Sequence, residues 1–261
     1  MITVEPGVRI AVEIAGEGPP LILIPGAGGI RATWDALWPR LATGRRCVRY
    51  DLRGCGESED STTAGFRHAD DLVSVLDELG IDRADIIGVS MGGRIAIDLA
   101  LDHPGRVGRL VLLSPGLADW DWSPAWQRRW EEIARAARSG ELDRARHLWF
   151  LHPLFATARR DPGLAQTLRN SIAVDNCGSW LEADRERPPP NAHMERLTEL
   201  RAATLLITGC DDIEDFRVIA AILEAAVPDI VRRDLPRTGH LVHQERPRET
   251  GDAVSAFLGP A

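Results

Sequence analysis

The chain has 261 residues, of which 44% are apolar and 27% are charged, and its formal net charge is −8. This length is sufficient for one sizeable α/β core with an insertion, and two independent domains are possible but not required. The composition is typical of a globular protein and excludes a disordered or fibrous chain. The acidic balance argues against a nucleic-acid partner, because phosphate binding needs a basic surface.

The N-terminal twenty residues alternate apolar side chains with glutamates, which is not the pattern of a signal peptide. No apolar run approaches the roughly 18 residues that a membrane-spanning helix needs. Four cysteines are scattered along the chain without a CxxC pair, which favours reduced thiols. We therefore predict a cytoplasmic protein without membrane contacts, and the sequence leaves monomer and homodimer equally open.

The first part of the chain alternates predicted strands with predicted helices. Alternating apolar residues near 3–4 and over 8–14 predict an antiparallel hairpin, and the apolar run 21–24 predicts a strand buried on both faces. Periodicity then predicts the following elements, in order: a helix opening at 33, a strand at 47–50, an amphipathic helix at 67–79, a strand at 86–89, a helix at 91–101 and a strand at 110–113.

The pattern changes after Pro115. Residues 117–199 contain no clear strand-like run, only helical segments such as 126–137 and 142–150. We therefore predict a core of residues 1–116 and 200–261 with a helical cap at 117–199.

The alternation of strands and helices resumes after this insertion. The predicted elements are a strand at 204–208, a helix at 217–226, a strand at 230–233 and a closing helix near 247–258. Strands joined by helices predict a mostly parallel sheet covered on both faces. Ligands of such sheets meet the carboxyl ends of the strands, so we expect functional residues in the loops that follow them.

The segment Gly88-Val89-Ser90-Met91-Gly92 matches G-x-S-x-G and lies between a predicted strand and a predicted helix. A serine at the apex of such a turn has a strained backbone, and the glycines beside it let strand and helix approach. The turn also places the hydroxyl at the positive end of a helix dipole. A tight turn with an incidental serine is the alternative, but the order of strand, turn and helix favours Ser90 as a nucleophile.

A serine nucleophile needs a base to remove its proton. His240 follows the last predicted strand on a loop at the carboxyl edge of the sheet, and we predict that it is this base. His243 is its competitor, although its position is more natural for the start of a helix. The remaining histidines are predicted to be surface or capping residues.

A carboxylate must orient the base. Asp211 and Asp212 directly follow the predicted strand 204–208, and both are candidates. Asp119 or Asp121, after the strand at 110–113, could instead supply the acid. We expect Glu214 and Asp215 to cap the next helix.

Backbone N–H groups usually stabilise the negative oxygen that forms when a serine attacks a carbonyl group. Met91, directly after the nucleophile, would supply one donor, and the glycine-rich loop 25–29 would supply another, most simply through Ala27. These glycines could instead serve only a tight turn or bind a phosphate. No G-x-x-x-x-G-K-[ST] motif follows, which argues against a nucleotide.

With these elements placed, the chain resembles the α/β-hydrolase superfamily, in the branch with a serine nucleophile and a helical cap. Beside GVSMGG, the resemblance includes the D-x-R-G-x-G-x-S loop at 51–58, and Gly239-His240 followed by Glu245-Arg246-Pro247. It implies a mostly parallel eight-stranded sheet flanked by helices, with the cap inserted after the sixth strand. It also selects Asp212 over Asp211, because the G-x-x-D motif carries the acid in this family. Pro25 departs from the family's usual histidine before the oxyanion loop.

Large aromatic side chains are concentrated in the predicted cap. An insertion folded over the carboxyl edge of the sheet would place some of these rings above Ser90 and form an apolar pocket, although each ring could instead only pack the cap on the core. The residues that we predict to line the pocket are Gly26, Gly28, Trp126, Trp130, Trp149, Trp180 and Leu241.

The resemblance implies a hydrolase that cleaves a carboxylic ester or lactone of a small, largely apolar substrate through an acyl-Ser90 intermediate. Carbon–carbon bond cleavage in diketone-like substrates, perhydrolysis and non-catalytic binding of a small molecule remain alternatives. Relatives that dehalogenate alkyl halides or open epoxides have aspartate where Ser90 stands, which argues against those activities. We predict no metal and no cofactor, because the sequence contains neither suitable ligand spacing nor a dinucleotide motif.

Overall fold

A computed structural model describes residues 1–174, 178–181 and 185–259. Its strands are β1 (Ile2–Glu5), β2 (Val8–Ile10), β3 (Val12–Ala15), β4 (Pro20–Ile24), β5 (Arg46–Tyr50), β6 (Glu59–Asp60), β7 (Ala84–Val89), β8 (Val107–Leu113), β9 (Thr204–Gly209) and β10 (Ile230–Leu235). Its α-helices are α1 (Trp38–Leu41), α2 (His68–Glu78), α3 (Met91–Asp102), α4 (Pro124–Arg138), α5 (Leu142–Phe150), α6 (Pro162–Ala173), α7 (Gly178–Leu181), α8 (His193–Arg196), α9 (Glu214–Ala226), α10 (Val242–Glu245) and α11 (Pro247–Leu258).

The main sheet has seven strands in the order β10-β9-β8-β7-β4-β5-β3. All neighbouring pairs are parallel except β3 with β5, which is antiparallel. A separate antiparallel sheet contains β1, β2 and β6. The main sheet is therefore mostly parallel, as the sequence predicts, and its crossovers are helical.

The expected count of eight strands in one sheet is wrong, because the predicted strand 8–14 is divided at Ala11. The amide of Ala11 donates to Ser58 Oγ at 2.9 Å instead of to a neighbouring strand. Before this point β2 pairs with β1 and β6, and after it β3 pairs with β5. The N-terminal hairpin consequently contributes only β3 to the main sheet.

The core lies on both faces of the main sheet. Alternate residues of β4 illustrate this: Ile22 and Ile24 join an apolar cluster with α2, α3 and α9, while Leu21 and Leu23 join another with α1 and α11. Because successive side chains of a strand point to opposite faces, a strand covered on both sides is apolar throughout. Full burial of each such side chain contributes about 1.5–3 kcal/mol.

The segment between β8 and β9 contains α4 to α8, and a third apolar cluster joins its helices to Phe216 of α9. The predicted helix 142–150 agrees with α5, and the predicted helix 126–137 lies within α4. Helix α4 begins where Pro124 follows Ser123, whose Oγ accepts from the amide of Trp126 at 3.3 Å. The assignment of residues 117–199 to a cap stays a prediction.

Asp215, in the first turn of α9, binds the beginning of this helical segment to the core. Its Oδ1 accepts from Trp120 Nε1 at 3.2 Å and from the amide of Ser123 at 2.9 Å, and its Oδ2 accepts from Ser123 Oγ at 2.7 Å. The carboxylate also lies in the first turn of its own helix, where negative charge is favourable. The N-cap residue of α9 is Ile213 and no side-chain cap hydrogen bond forms there, so the prediction that Glu214 and Asp215 cap this helix is wrong. Asp215 instead joins two parts of the chain.

The substitution Asp215→Ala should lower the free energy of unfolding by about 1–3 kcal/mol, because it leaves three partly buried donor groups without their acceptor. Urea denaturation measures this loss. Glu214→Ala is the matched control, since Glu214 lies in the same helical turn with an exposed side chain, and it should change stability by less than about 0.5 kcal/mol. Equal effects of the two substitutions would contradict the bridging role.

Candidate functional site

Ser90 lies at the sharp turn between β7 and α3, with φ 55° and ψ −116°. A non-glycine residue with this backbone conformation is strained by about 1–3 kcal/mol. A Cβ on Gly88 would lie 2.2 Å from the carbonyl oxygen of Gly92, and a Cβ on Gly92 would lie 2.3 Å from that of Ile24. Only glycine fits at these two positions, so the spacing of the motif follows from the packing of α3 against β7 and β4.

Ala27 and Met91 are the two residues whose backbone amides the sequence predicts as oxyanion donors. Met91 is the first residue of α3, so its N–H has no acceptor within the helix. Ala27 belongs to the loop after β4, where the amide of Gly29 donates to the carbonyl of Gly26 at 2.9 Å. Ala27, Ser90 and Met91 line the same cavity. This arrangement fits two donors directed at an oxygen bound next to the serine.

His240 and Asp212 form a buried pair. The distance between His240 Nδ1 and Asp212 Oδ2 is 2.8 Å, and both side chains are 1% exposed. Because a carboxylate can only accept, Nδ1 carries the proton and Nε2 keeps its lone pair. Nε2 is buried without a hydrogen-bond partner, and His240 lines one cavity together with Ser90. The contact with Asp212 therefore gives the imidazole the tautomer that a general base requires. In this structure Nε2 forms no hydrogen bond with Ser90, although both residues border the same cavity.

The other acids that the sequence offers do not contact His240 in this way. Asp211 and Asp121 are exposed to solvent. Asp119 accepts from the amides of His193 and Met194, at 3.0 Å and 3.3 Å. The second oxygen of Asp212 accepts from the amide of Ile213 at 2.8 Å, which holds the carboxylate in place.

Glu245 holds the backbone on both sides of His240. Its Oε2 accepts from the amide of Gly239 at 2.8 Å, and its Oε1 accepts from that of Leu241 at 3.1 Å. Burial raises the pKa of Glu245, and the two amide donors and His240 oppose this shift. The motif that contains Glu245 in the sequence does not assign it a role. Its position five residues after the candidate base is the feature of the sequence that could have identified it.

His243 is fully buried in α10 and lines the same cavity as Ser90 and His240. Its Nε2 lies 3.0 Å from Thr33 Oγ1. Burial, together with the nearby His240, lowers the pKa of His243 to about 3. A neutral imidazole without a carboxylate partner is poorly suited to replace His240 as the base.

The prediction that the remaining histidines are surface or capping residues is wrong for His68 and His193, which are buried. His193 Nε2 lies 2.7 Å from Asp98 Oδ1, so burial is offset by a charged partner. His152 is a capping residue, since its Nδ1 accepts from the amide of Leu154 at 3.2 Å. It is also buried, and burial is the main cause that lowers its pKa to about 4.

Two cavities meet at Ser90. The smaller has a volume of about 70 Å³ and is bordered by the loop after β4, by α6 and by the His240 loop. Four of the predicted pocket residues line it: Gly26, Gly28, Trp149 and Leu241. The larger has a volume of about 520 Å³, which is within the range of small-molecule sites.

The tryptophans that were predicted to line the pocket divide into two groups. Trp126 and Trp130 line the larger cavity, and Trp149 borders both cavities. Trp180 lines neither, so the prediction is wrong for this residue. It is buried behind Trp149, with ring centroids 6.1 Å apart. A short helix, α7, places it in the packed interior of the helical segment.

Neither a metal cluster nor a membrane span is found where the structure describes the chain. In those residues, no group of three or more histidine, cysteine, aspartate or glutamate side chains could hold a metal ion. No helix in the same residues is long and apolar enough to cross a bilayer.

Comparison with known proteins adds to this geometry. Residues 19–148 match the family model of the alpha/beta hydrolase fold. A relative from Comamonas testosteroni, named a 2-hydroxy-6-oxononadienedioate/2-hydroxy-6-oxononatrienedioate hydrolase, is 35% identical over 250 residues, which cover 91% of this chain and 86% of the relative.

Solved structures show the same similarity. The structure described as Est816, an N-acyl homoserine lactone degrading enzyme, is 27% identical with a TM-score of 0.79, and the match covers 96% of this chain and 97% of that one. A thermophilic esterase from Thermogutta terrifontis is 25% identical with a TM-score of 0.82, covering 96% and 93% of the two chains. The matches cover at least 86% of each of these three proteins.

The buried state of His152 predicts a pH dependence of stability. Its pKa falls from 6.5 to about 4 on folding, so the unfolded chain binds a proton first as the pH falls. The contribution of His152 is therefore present above about pH 6.5 and is lost as the pH falls through about 4. In urea denaturation at fixed pH values across this interval, the free energy of unfolding should fall less steeply for His152→Phe than for the parent. His147→Gln, at an exposed position in α5, should keep the parent's slope, and a parental slope in His152→Phe would refute the prediction.

Proposed function

Because the chain belongs to the α/β-hydrolase superfamily, we propose that it hydrolyses a carboxylic ester or lactone of a small, largely apolar substrate through an acyl-Ser90 intermediate. The observation that carries this proposal is the His240 imidazole, which is held by Asp212 and whose Nε2 is unpartnered beside the cavity that contains Ser90. The esterase and the lactone-degrading enzyme among the similar structures support it.

The first half of the reaction transfers the acyl group to the serine. His240 Nε2 accepts the proton of the Ser90 hydroxyl while Oγ attacks the carbonyl carbon of the substrate. Asp212 stabilises the imidazolium that forms. When the tetrahedral intermediate collapses, the carbon–oxygen bond of the ester breaks, and His240 returns the proton to the leaving alcohol.

Negative charge develops on the carbonyl oxygen during this attack. The amides of Met91 and Ala27 would donate to that oxygen, and removal of one such donor typically costs about 10²- to 10³-fold in rate. The N-terminal end of α3 adds the positive end of its dipole at the same place. The strained conformation of Ser90 is consistent with a serine fixed in advance for this geometry.

The second half of the reaction releases the acid. Water enters beside the acyl-serine, His240 takes one of its protons, and the resulting hydroxide attacks the acyl carbon. The bond to Ser90 Oγ then breaks, and His240 protonates the serine. The smaller cavity lies directly beside Ser90 and His240 and has room for a molecule of this size.

Hydrolysis of a carbon–carbon bond is the second candidate, and the identity of 35% to the Comamonas testosteroni hydrolase favours it. The same three side chains could serve this chemistry. Short aryl esters and vinylogous diketones distinguish the two candidates: turnover of the esters favours the first, and activity restricted to the diketones favours the second.

Replacing Ser90 with alanine should abolish labelling by a fluorophosphonate probe and lower kcat/KM for a short aryl ester by at least about 10³-fold, because the nucleophile is lost. Mass spectrometry of the labelled parent should identify Ser90 as the modified residue. The control Ser255→Ala removes an exposed hydroxyl from α11 and should leave both readouts unchanged. A Ser90→Ala protein as active as the parent would exclude the acyl-enzyme mechanism.

Glu245→Gln should shift the acid limb of the kcat/KM profile against pH toward lower pH, because the imidazolium of His240 loses a nearby negative charge. The amide oxygen of glutamine can still accept one of the two backbone hydrogen bonds. A variant damaged only in its loop would instead lose activity at every pH without a shift. Glu249→Gln, at an exposed site in α11, should reproduce the parent's profile.

A further inference from the structure

Three tryptophan rings form a nearly parallel row along the larger cavity. The centroids of Trp122 and Trp126 are 4.3 Å apart with an interplanar angle of 20°, and those of Trp126 and Trp130 are 6.2 Å apart at 9°. Four residues of an α-helix rise by about 6 Å, which accounts for the spacing of Trp126 and Trp130 within α4, whereas Trp122 lies just before this helix. We call these three residues the tryptophan row.

Two further rings meet the tryptophan row at steep angles. Trp149 lies 5.9 Å from Trp130 at 84°, and Phe216 lies 5.8 Å from Trp126 at 73°. All five aromatic residues line the larger cavity. The cavity is thus bounded by rings in two orientations that are close to perpendicular.

Packing of the helical segment on the core does not by itself account for this arrangement. The three rings of the tryptophan row are only partly buried, so they keep apolar surface open to the cavity. Leucine or alanine would close the same helix contacts without an exposed aromatic wall. Indole surface left next to Ser90 is better explained by a ligand that covers it.

The charged residues around the cavity are either paired or exposed. Arg94 binds Glu186 at 2.6 Å, and Glu131 and Arg187 are exposed to solvent. No charged group is therefore buried and unpaired beside the tryptophan row in the part of the chain that the structure describes. The group that binds against these rings is expected to be uncharged.

We propose that the larger cavity binds an aromatic ring of the substrate, so that the preferred esters carry an aryl group next to the scissile bond. Aromatic rings favour offset-stacked or edge-to-face contacts with centroids about 4.5–7 Å apart. A ring inserted here makes both kinds of contact at once, because the walls have two orientations. A saturated ring of similar size gains only the apolar contact area. This inference rests on the proposed hydrolysis at Ser90, which lines the same cavity.

Two matched pairs of esters test the proposal. Benzyl acetate is compared with cyclohexylmethyl acetate, and methyl phenylacetate with methyl cyclohexylacetate, so that the ring lies on the alcohol side or on the acyl side. In at least one pair, the parent should prefer the aromatic ester by roughly three- to ten-fold in kcat/KM. Equal values in both pairs would overturn the proposal.

Variants connect this preference to the tryptophan row. Trp126→Leu and Trp130→Leu keep an apolar side chain but remove the ring. In each variant, the ratio of kcat/KM for the aromatic ester to kcat/KM for the saturated ester should fall toward one. The matched control is Trp38→Leu, since Trp38 packs beside α11 in a different apolar cluster, and it should retain the parent's preference. Circular dichroism identifies a variant that fails to fold, and the other variant then decides the outcome. A preference that survives both folded variants would also overturn the proposal.

Binding to Ser90→Ala separates this inference from the proposed function. Calorimetric titration with benzyl acetate and cyclohexylmethyl acetate should show tighter binding of the aromatic ester. If the aromatic ester binds more tightly but the parent hydrolyses no ester, the aromatic site stands and the proposed hydrolysis fails. If the parent hydrolyses esters but neither binding nor turnover distinguishes the pairs, the aromatic site fails and the hydrolysis stands.

Discussion

The close approach of α3 to the end of β4 is the constraint on which the rest of the site depends. At Gly92 the two elements are so near that a single methyl group would overlap the carbonyl oxygens of Ile24 and Pro25. This contact fixes the N-terminal end of the helix beside the loop that follows β4. Ala27, Ser90 and Met91 consequently line one cavity, although Ala27 and Ser90 are more than sixty residues apart in the sequence.

The other half of the site depends on the pairing of β9 with β10. Because these strands are parallel, their carboxyl ends meet at one edge of the sheet. The amide of Asp211 donates to the carbonyl of Thr238 at 2.9 Å, which joins the two loops directly beyond the strands. Asp212 and His240 are therefore adjacent as a result of strand register. The parallel pairing of these strands in the α/β-hydrolase fold therefore places the two loops side by side, independently of the side chains that they carry.

Local signals in the sequence predict much of this structure, and non-local contacts account for what they miss. The helices at 142–150 and 247–258 are predicted with their observed bounds, because periodicity, proline and glycine act within a few residues. The division at Ala11 depends on Ser58, which is 47 residues away. The burial of His193 likewise depends on Asp98, 95 residues away. Neither contact leaves a periodic signal in the sequence.

The candidate site itself shows the same division between motif and environment. Ser90 and His240 follow from motifs at the ends of predicted strands, whereas the role of Glu245 becomes visible only when its two amide donors are known. The burial of Trp180 away from the cavity also depends on a non-local contact, because a short helix packs this ring behind Trp149. Residue type and spacing identify reacting groups, but they do not identify the groups that hold them.

Three imidazoles lie close together in this structure, and their surroundings give them different properties. Burial without a carboxylate keeps His152 and His243 neutral, with pKa values lowered to about 4 and about 3. His240 differs because Asp212 contacts its Nδ1 and Glu245 binds the amides beside it. In the proposed mechanism, a second imidazolium near His240 would oppose the charge that this base acquires during acyl transfer. The uncharged state of its two neighbours would therefore favour transfer of the serine proton to His240.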